Sequence, residues 1–506
     1  MLKIFRKLTS KGHEESTHKP DTGIQNNRLA YSGDLLPYGI KEIIDSYEVN
    51  PFSVTIYSSS SGVRYYTSKF CGTASDLQLV GRSLAMLDSE HPVPETIPSN
   101  LEQYMKWFMS LVSPYLAGAK DRTESIARYA AYEWIGLGRL YTVFEDPAVD
   151  EFFSDSNFSY PYVEHRRVGR CQLTFMLQKR EQDSLRTFAE LYGQQQATLQ
   201  TPSVKSELMF DRFKVRIGLD LEPVSVNGPS IHMRKVGAEA LTLPKLIRDG
   251  AVTLEAASLI LAAAYSRISI TILGPSGSGK TTLLNAIDLA IDPRLRRIYI
   301  EDAVESLELS ELGYRQTKLR VQPLESGDDV ERSKMKEVLK TLHRSPDIVI
   351  LGEIQDRLQC SALFQALESG IVCLQTFHAS SPEQAVRRLV NVMGIRPEQL
   401  NDIGLIVTMK RPDQLSSARI VNRISEVDES MTVRDIHCRQ ESRAEITRSL
   451  EPSERLLQKA TDLTDHNFNA LRVKMVDLLL TAMEKDAYDV SAFANLVWKK
   501  VCSDEG

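Results

Sequence analysis

Between residues 240 and 430, short apolar runs alternate with longer amphipathic stretches. The runs ISITIL, RRIYI, DIVIL, VCLQT and LIVTM have little polar character on either face. That pattern predicts strands of a parallel sheet covered by helices on both sides. Ala256 to Leu273 is apolar almost throughout and is interrupted by Arg267. It predicts a core helix running into a buried strand rather than a membrane span.

Upstream the periodicity changes. The alternation in SVTIYSSSSGVRYYTSKF predicts a hairpin with SSSSG as its turn. HPVPETIPSN, with its 3 prolines, reads as a connector. LEQYMKWFMSLVSPYL and SIARYAAYEWIGLGRLYTVF carry helical spacing. YPYVEHRRVGRCQLTFML predicts two strands, and SLRTFAELYGQQQ a helix. DRFKVRIGLDLEPVSVNGPSIHMRKV predicts strands around a turn at Asn227-Gly228-Pro229. Residues 450–500 return to helical spacing. The organisation implied is a disordered polar tail over 1–30, an accessory module over 31–146, a mixed α+β domain over 147–235, an α/β domain over 236–430 and a helical region over 431–506.

Composition narrows the classes. With 506 residues and 42% apolar positions the chain can bury several cores. A net charge of −6 argues against a general nucleic-acid binder. The 6 cysteines are scattered with no C-x-x-C pair, so neither a zinc site nor a disulfide framework is expected, and a reducing cytoplasm fits. The start, MLKIFRKLTSKGHEESTHK, has no long apolar core and is not a secretory signal.

Gly274-Pro275-Ser276-Gly277-Ser278-Gly279-Lys280-Thr281 matches G-x-x-x-x-G-K-[ST] in full, between an apolar strand and the helical TTLLNAIDLAI. Glycines let successive backbone N–H groups converge on one anion, and the helix dipole adds positive charge there. Lys280 supplies a mobile charge for the β- and γ-phosphates, and the Thr281 hydroxyl a ligand for Mg²⁺, with Thr282 beside it. A Gly/Ser-rich turn without ligand is the bland alternative.

Such a loop needs a carboxylate on a neighbouring strand. DIVILGEI ends in Glu353, placed to order water on Mg²⁺ or to polarise the nucleophile. Gly352 stands where an aspartate is usual. IYIEDAVESLEL ends another strand in Glu301, Asp302 and Glu305, which fits a nucleotide site at a sheet's carboxyl edge. VCLQTFHA ends in His378, at the same edge and suited to sensing a γ-phosphate.

Phosphate loop, I-E-D-x-x-E, P-D-x-x-x-x-G-E and T-F-H-A occur in that order, and the set resembles the type II/IV secretion system ATPase family. In that family the segments are called Walker A, Asp box, atypical Walker B and His box. GPSIHMRKV is similar to the family's G-x-S-x-x-I-R-K segment. The resemblance runs from about residue 150 to 430, and the long N-terminal module and lack of a zinc tetracysteine look more like archaeal members.

It implies a RecA-like P-loop motor domain hinged to a mixed α+β N-terminal domain, with helical terminal modules. It implies ATP and Mg²⁺ as ligands, and six copies in a ring. The company expected is a polytopic platform protein at the cytoplasmic membrane, serving secretion, a type IV pilus or an archaellum-type filament. No nucleic-acid partner is expected. Residue by residue it implies Lys280 and Thr281 on phosphate and Mg²⁺, and Glu305 or Glu353 as activator of water. It further implies His378 as γ-phosphate sensor and Arg234 as a linker arginine reaching nucleotide. The segment Arg234 to Leu243, which contains Gly237, is the expected hinge.

Departures from the family pattern are Leu342-His343-Arg344-Ser345-Pro346-Asp347, Gly352-Glu353-Ile354-Gln355, Ser369-Gly370-Ile371 and Phe210-Asp211-Arg212-Phe213-Lys214-Val215. They make Arg212, Lys214 and Arg216 candidates for cations acting on a neighbouring subunit. They also keep open a nucleotide-binding scaffold with little turnover. A RecA-like nucleic-acid translocase is the third reading, disfavoured by the acidic charge.

Overall fold

The computed structural model describes residues 39–90, 92, 94, 98–193, 195–236, 240–321, 334–411, 418–439, 447–449, 451–464 and 467–502. The expected tail over 1–30 and the hinge residue Gly237 lie outside them. The chain divides into two compact units, the first Met1–Glu239 and the second Ala240–Gln414 with Ala418–Gly506.

The first unit runs β1 (Ile40–Val49), β2 (Phe52–Ser59), β3 (Arg64–Phe70), then α1 (Ala74–Glu90), α2 (Leu101–Val112), α3 (Thr123–Trp134) and α4 (Tyr141–Glu145). It continues with β4 (Val149–Ser154), β5 (Tyr162–His165), β6 (Gly169–Leu173), α5 (Lys179–Gly193), β7 (Ser203–Met209), β8 (Lys214–Asp220) and β9 (Ser230–Val236). All nine strands form one sheet, in the order β1-β2-β3-β6-β5-β4-β9-β8-β7. The expected hairpin is β2–β3, closed by the Ser59 amide donating to Val63 O at 2.8 Å, with Gly62 at φ +82°.

The sequence reading drew a boundary at residue 147, but this sheet crosses it. Strand β3 pairs parallel with β6, Tyr65 opposite Gln172 and Tyr66 opposite Leu173. One apolar core extends from Val49 to Met233. The reason is packing: the hairpin's apolar face is buried by helices, as where the Phe52 ring meets Tyr129 at 5.1 Å and Tyr141 at 5.2 Å. A hairpin alone is marginal in water, so it joins the larger sheet.

The second unit runs α6 (Leu243–Arg248), α7 (Leu254–Tyr265), β10 (Ile270–Leu273), α8 (Lys280–Ala290), β11 (Arg297–Glu301), β12 (Gln316–Arg320), α9 (Lys334–Thr341), β13 (Ile348–Ile354) and α10 (Arg357–Glu368). There follow β14 (Val372–Phe377), α11 (Pro382–Asn391), β15 (Leu405–Lys410), β16 (Ile420–Val427), β17 (Val433–Arg439), β18 (Thr447–Ser449), α12 (Glu454–Thr464), α13 (Phe468–Glu484) and α14 (Val490–Cys502). The strand order is β12-β11-β13-β14-β10-β15-β16-β17-β18. Strands β12 to β15 are parallel and β16 to β18 antiparallel.

The five anticipated strands are β10, β11, β13, β14 and β15. Every residue of β10 is buried, and Ala256 to Ala264 of α7 are buried all round, as a helix without a polar face requires. The region beyond 430 is not purely helical, since β17 and β18 extend the sheet there. Its helices are also integral, because Phe468, Leu479, Phe493 and Val497 share one core with Ile260 and Ile272. Among the described residues no helix is long and apolar enough to cross a membrane.

Candidate nucleotide site

Parallel register aligns the ends of the central strands. Leu273 pairs with Phe377, Ile354 with Phe377, and Ile300 with Leu351. The loop 274–279, Glu301, Glu353 and His378 therefore all emerge at one carboxyl edge of the sheet, where α/β proteins bind ligands.

Strand β10 turns into α8 through Gly274, Gly277 and Gly279, at φ +155°, +70° and +90°. A Cβ on Gly274 would lie 2.3 Å from Ser278 Oγ and 2.9 Å from Met409 O, so only glycine fits. A Cβ on Gly277 would meet nothing within 4 Å. Pro275 and Ser276 are exposed at the tip, Thr281 and Thr282 half-buried at the helix start. The Ser278 hydroxyl is buried without a hydrogen-bond partner. The Lys280 ammonium, largely buried, folds back onto the loop and donates to Gly274 O at 3.0 Å and Pro275 O at 2.9 Å.

Lys280 Nζ also lies 3.4 Å from His378 Nδ1. An ammonium has no lone pair, so Nδ1 must be the acceptor. The ring proton then sits on Nε2, which faces Glu353 Oε1 at 3.1 Å. Loop lysine, histidine and strand-end glutamate thus form one hydrogen-bonded chain. Burial, the largest single influence, pushes the Glu353 carboxyl up, and the bond and charge of His378 oppose it. With Gln355 and the Lys280 charge, the net effect holds it below the usual carboxylate range. The peptide before Glu353 is fixed by the Thr376 hydroxyl, which donates to Gly352 O.

The other acids are placed differently. Glu301 is 3% exposed and accepts from the amides of Glu305 (3.0 Å) and Ser306 (3.1 Å) and from the Ser306 hydroxyl (2.6 Å). Burial pushes its carboxyl up despite these donors. It shapes the turn that carries Glu305, whose carbonyl also accepts from Asn285 of α8 at 2.9 Å. Asp302 Oδ1 lies 3.4 Å from Lys334 Nζ. A Cβ on Gly352 would meet the Glu301 stem at 3.6 Å and Asp302 Oδ1 at 4.0 Å, so both acids of the neighbouring strand end border this position.

Arg234 belongs to the first unit, where its guanidinium is 3.5 Å from Glu151. Register places Glu151, Arg234 and Arg216 side by side across β4, β9 and β8, and Arg216 is 3.5 Å from Glu207 of β7. Arg212 is exposed and reaches Glu145 at 3.5 Å.

Sequence reasoning missed two residues. Lys334 carries no local signal. Arg419, at the start of the β16 arm of a hairpin, runs its stem along the phosphate loop, its Cδ 3.4 Å from where a Cβ on Gly279 would stand. Hairpin pairing of β15 with β16 was the signal that would have found it.

The residues fit a nucleotide with Mg²⁺. The glycine cradle admits no side chain at Gly274, Ser278 Oγ is an orphaned buried polar atom, and Thr281 and Glu353 are hard oxygen donors. Among the described residues no cluster of three or more His, Cys, Asp or Glu could hold a metal by itself.

A family model described as type II/IV secretion system protein matches residues 203–488, more than half of the chain. An uncharacterized protein of Methanocaldococcus jannaschii is 32% identical over 188 residues, covering 36% of this chain and 66% of that protein. Type II secretion system protein E of Pseudomonas aeruginosa is 34% identical over 143 residues, covering 28% and 26%. The solved ATPase DotB of Legionella pneumophila aligns with TM-score 0.42 at 17% identity, over 68% of this chain and 86% of that one. The chain spans less than two thirds of the length of the curated relatives it matches here.

Proposed function

We propose that this chain, which belongs to the type II/IV secretion system protein family, binds ATP with Mg²⁺ and hydrolyses it as a motor for secretion or type IV pilus-type filament assembly. The observation that carries the reading is the chain from Lys280 through His378 to Glu353, which ties the phosphate loop to a strand-end acid.

In this reading the backbone N–H groups of 274–281 receive the phosphates and Lys280 leaves the Gly274 and Pro275 carbonyls for them. Thr281, with Glu353 through water, would hold Mg²⁺, and the ion would supply positive charge for the phosphate oxygens. Once Lys280 is drawn away, His378 Nδ1 is released and can report the γ-phosphate, while Nε2–H keeps Glu353 ionised and aimed. Glu353 orients the attacking water and takes its proton. Glu305 is the alternative base, on a turn held by Glu301 and Asn285. Arg234 is the linker arginine that gives bound nucleotide a differential contact between open and closed arrangements. Arg212, Lys214 and Arg216 are the cations offered to a neighbouring subunit. The working assembly is a ring of six, in the cytoplasm, docked on a polytopic membrane platform protein.

The test is a phosphate-release assay on the purified chain. Mg²⁺-dependent turnover that is lost in Lys280→Ala supports the reading, and undiminished turnover in that variant sinks it. The departures from the family pattern, such as His343 and Ser345 before β13 and Gln355 after Glu353, favour a second reading, a nucleotide-binding scaffold with little turnover. Single-turnover hydrolysis separates the two.

A further inference from the structure

Lys334 opens α9, and its side chain is almost wholly buried, 3% exposed. An ammonium withdrawn from water to this degree is destabilising unless charge and hydrogen bonds compensate it. Here the compensation is specific. Nζ donates to Glu353 O at 2.7 Å and lies 3.4 Å from Asp302 Oδ1. These two partners end neighbouring parallel strands, β13 and β11, on either side of Gly352. Asp302 Oδ1 borders Gly352, 4.0 Å from where a Cβ would stand there. The chain therefore puts a fixed positive charge beside a carboxylate that borders the position of the absent aspartate. The same charge grips the backbone of the glutamate proposed to activate water.

We propose that Lys334 is a positioning residue of the nucleotide site, which keeps Asp302 off the metal and fixes the peptide that carries Glu353. The proposal rests on the nucleotide-binding reading above. Its physical content is competition: a carboxylate paired with an ammonium is a poorer ligand for a divalent cation. With Lys334 in place, metal is left to Thr281 and to Glu353 through water.

The test is Mn²⁺ titration followed by electron paramagnetic resonance, in the presence of a non-hydrolysable ATP analogue, so that no turnover is needed. Lys334→Met should lower the half-saturating Mn²⁺ concentration roughly three- to tenfold, the scale of one charge contact at a partly screened site. Its hydrolysis rate should nevertheless fall by about tenfold, because Glu353 O loses a charged donor. Tighter metal with slower turnover is a combination that loosened packing does not produce. The double variant Lys334→Met/Asp302→Asn should return to the wild-type Mn²⁺ dependence, a non-additivity that assigns the effect to the pair.

Unchanged Mn²⁺ binding in folded Lys334→Met overturns the proposal, as does tightening that persists in the double variant. Should Lys334→Met fail to fold, Asp302→Asn alone decides. It should leave Mn²⁺ binding within about twofold, since Asp302 is not a ligand while Lys334 holds it, and a loss of tenfold or more overturns the proposal. A wild type that binds analogue and Mn²⁺ but never hydrolyses ATP overturns the motor reading alone, and the titration still decides Lys334.

Discussion

The phosphate side and the acid side of the candidate site are built by different means. On the phosphate side the backbone sets the geometry, through three glycines at positive φ in a run of six residues. On the acid side the geometry comes from interlocked side chains: Glu301 on the Glu305 turn, Thr376 on Gly352, Lys334 on Asp302 and Glu353, His378 on Glu353. A backbone cradle is unforgiving, because at Gly274 any Cβ meets a carbonyl. Side-chain scaffolding can be exchanged piece by piece, and at Gly352 the neighbouring space is bordered by Glu301 and Asp302 from the adjoining strand end. The contrast teaches where variation is tolerated in such a site.

The comparison can be broken at its strongest point first. Glu353→Gln should slow hydrolysis by about 10²–10⁴-fold while nucleotide still binds, the usual worth of a general base. If Glu305→Gln proves the more severe change, the base lies on the turn instead, and steady-state rates of the two variants decide. Lys280→Ala should cost roughly 100- to 1000-fold in turnover, since a preorganised charge on phosphate is lost. Its urea unfolding midpoint should stay close to wild type, because the Lys280 ammonium bonds to loop carbonyls and His378 at the site rather than joining the apolar core.

Gly274→Ala probes the backbone side itself. Strain and the 2.9 Å approach to Met409 O should lower stability by about 1–3 kcal/mol, measured by urea unfolding. Gly277→Ala meets no neighbour within 4 Å and should cost less. Equal losses at the two positions would show that φ, and not the contact, is what matters.

His378→Ala probes the acid side through pH. Burial raises the Glu353 carboxyl and His378 lowers it, so removing the histidine leaves burial to dominate. Glu353 must be ionised to take a proton, so the acid limb of the residual kcat should move to higher pH. An unmoved limb would dissociate Glu353 from the rate. The smallest effect is expected for Glu301→Gln. The amide keeps one acceptor for the Glu305 and Ser306 amides and loses roughly 1 kcal/mol of bonding, no more than about fivefold in kcat.

What the sequence disclosed follows the same division. The phosphate loop was readable because its physics is contiguous: strand, glycines, lysine and helix are neighbours in the chain. The five buried strands were readable because parallel sheets bury both faces. The half-exposed strands were not: β12, with no fully buried residue, and β17 give no apolar run. Glu301 reads as a nucleotide ligand by position, and only the structure shows its oxygens turned onto the Ser306 hydroxyl and two amides. Lys334 was invisible, since its partners lie 32 and 19 positions away along the chain. The boundary at 147 was drawn where composition changes, but pairing of β3 with β6 across it leaves no local trace.

That pairing has a consequence for how the first unit is made. A ribosome delivers β1 to β3 long before β6, whose Gln172 and Leu173 they need, and β4 waits for Ile231 to Arg234 of β9. Such non-local pairings are slow to form, because the intervening chain must be closed into a loop first. During synthesis the edge of β3 therefore stays open to other chains until some hundred further residues have followed it, a window in which strand edges aggregate. A nascent chain halted before residue 236 should hold its hairpin and helices without a finished sheet, and limited proteolysis of stalled chains would date the moment when the nine strands lock together.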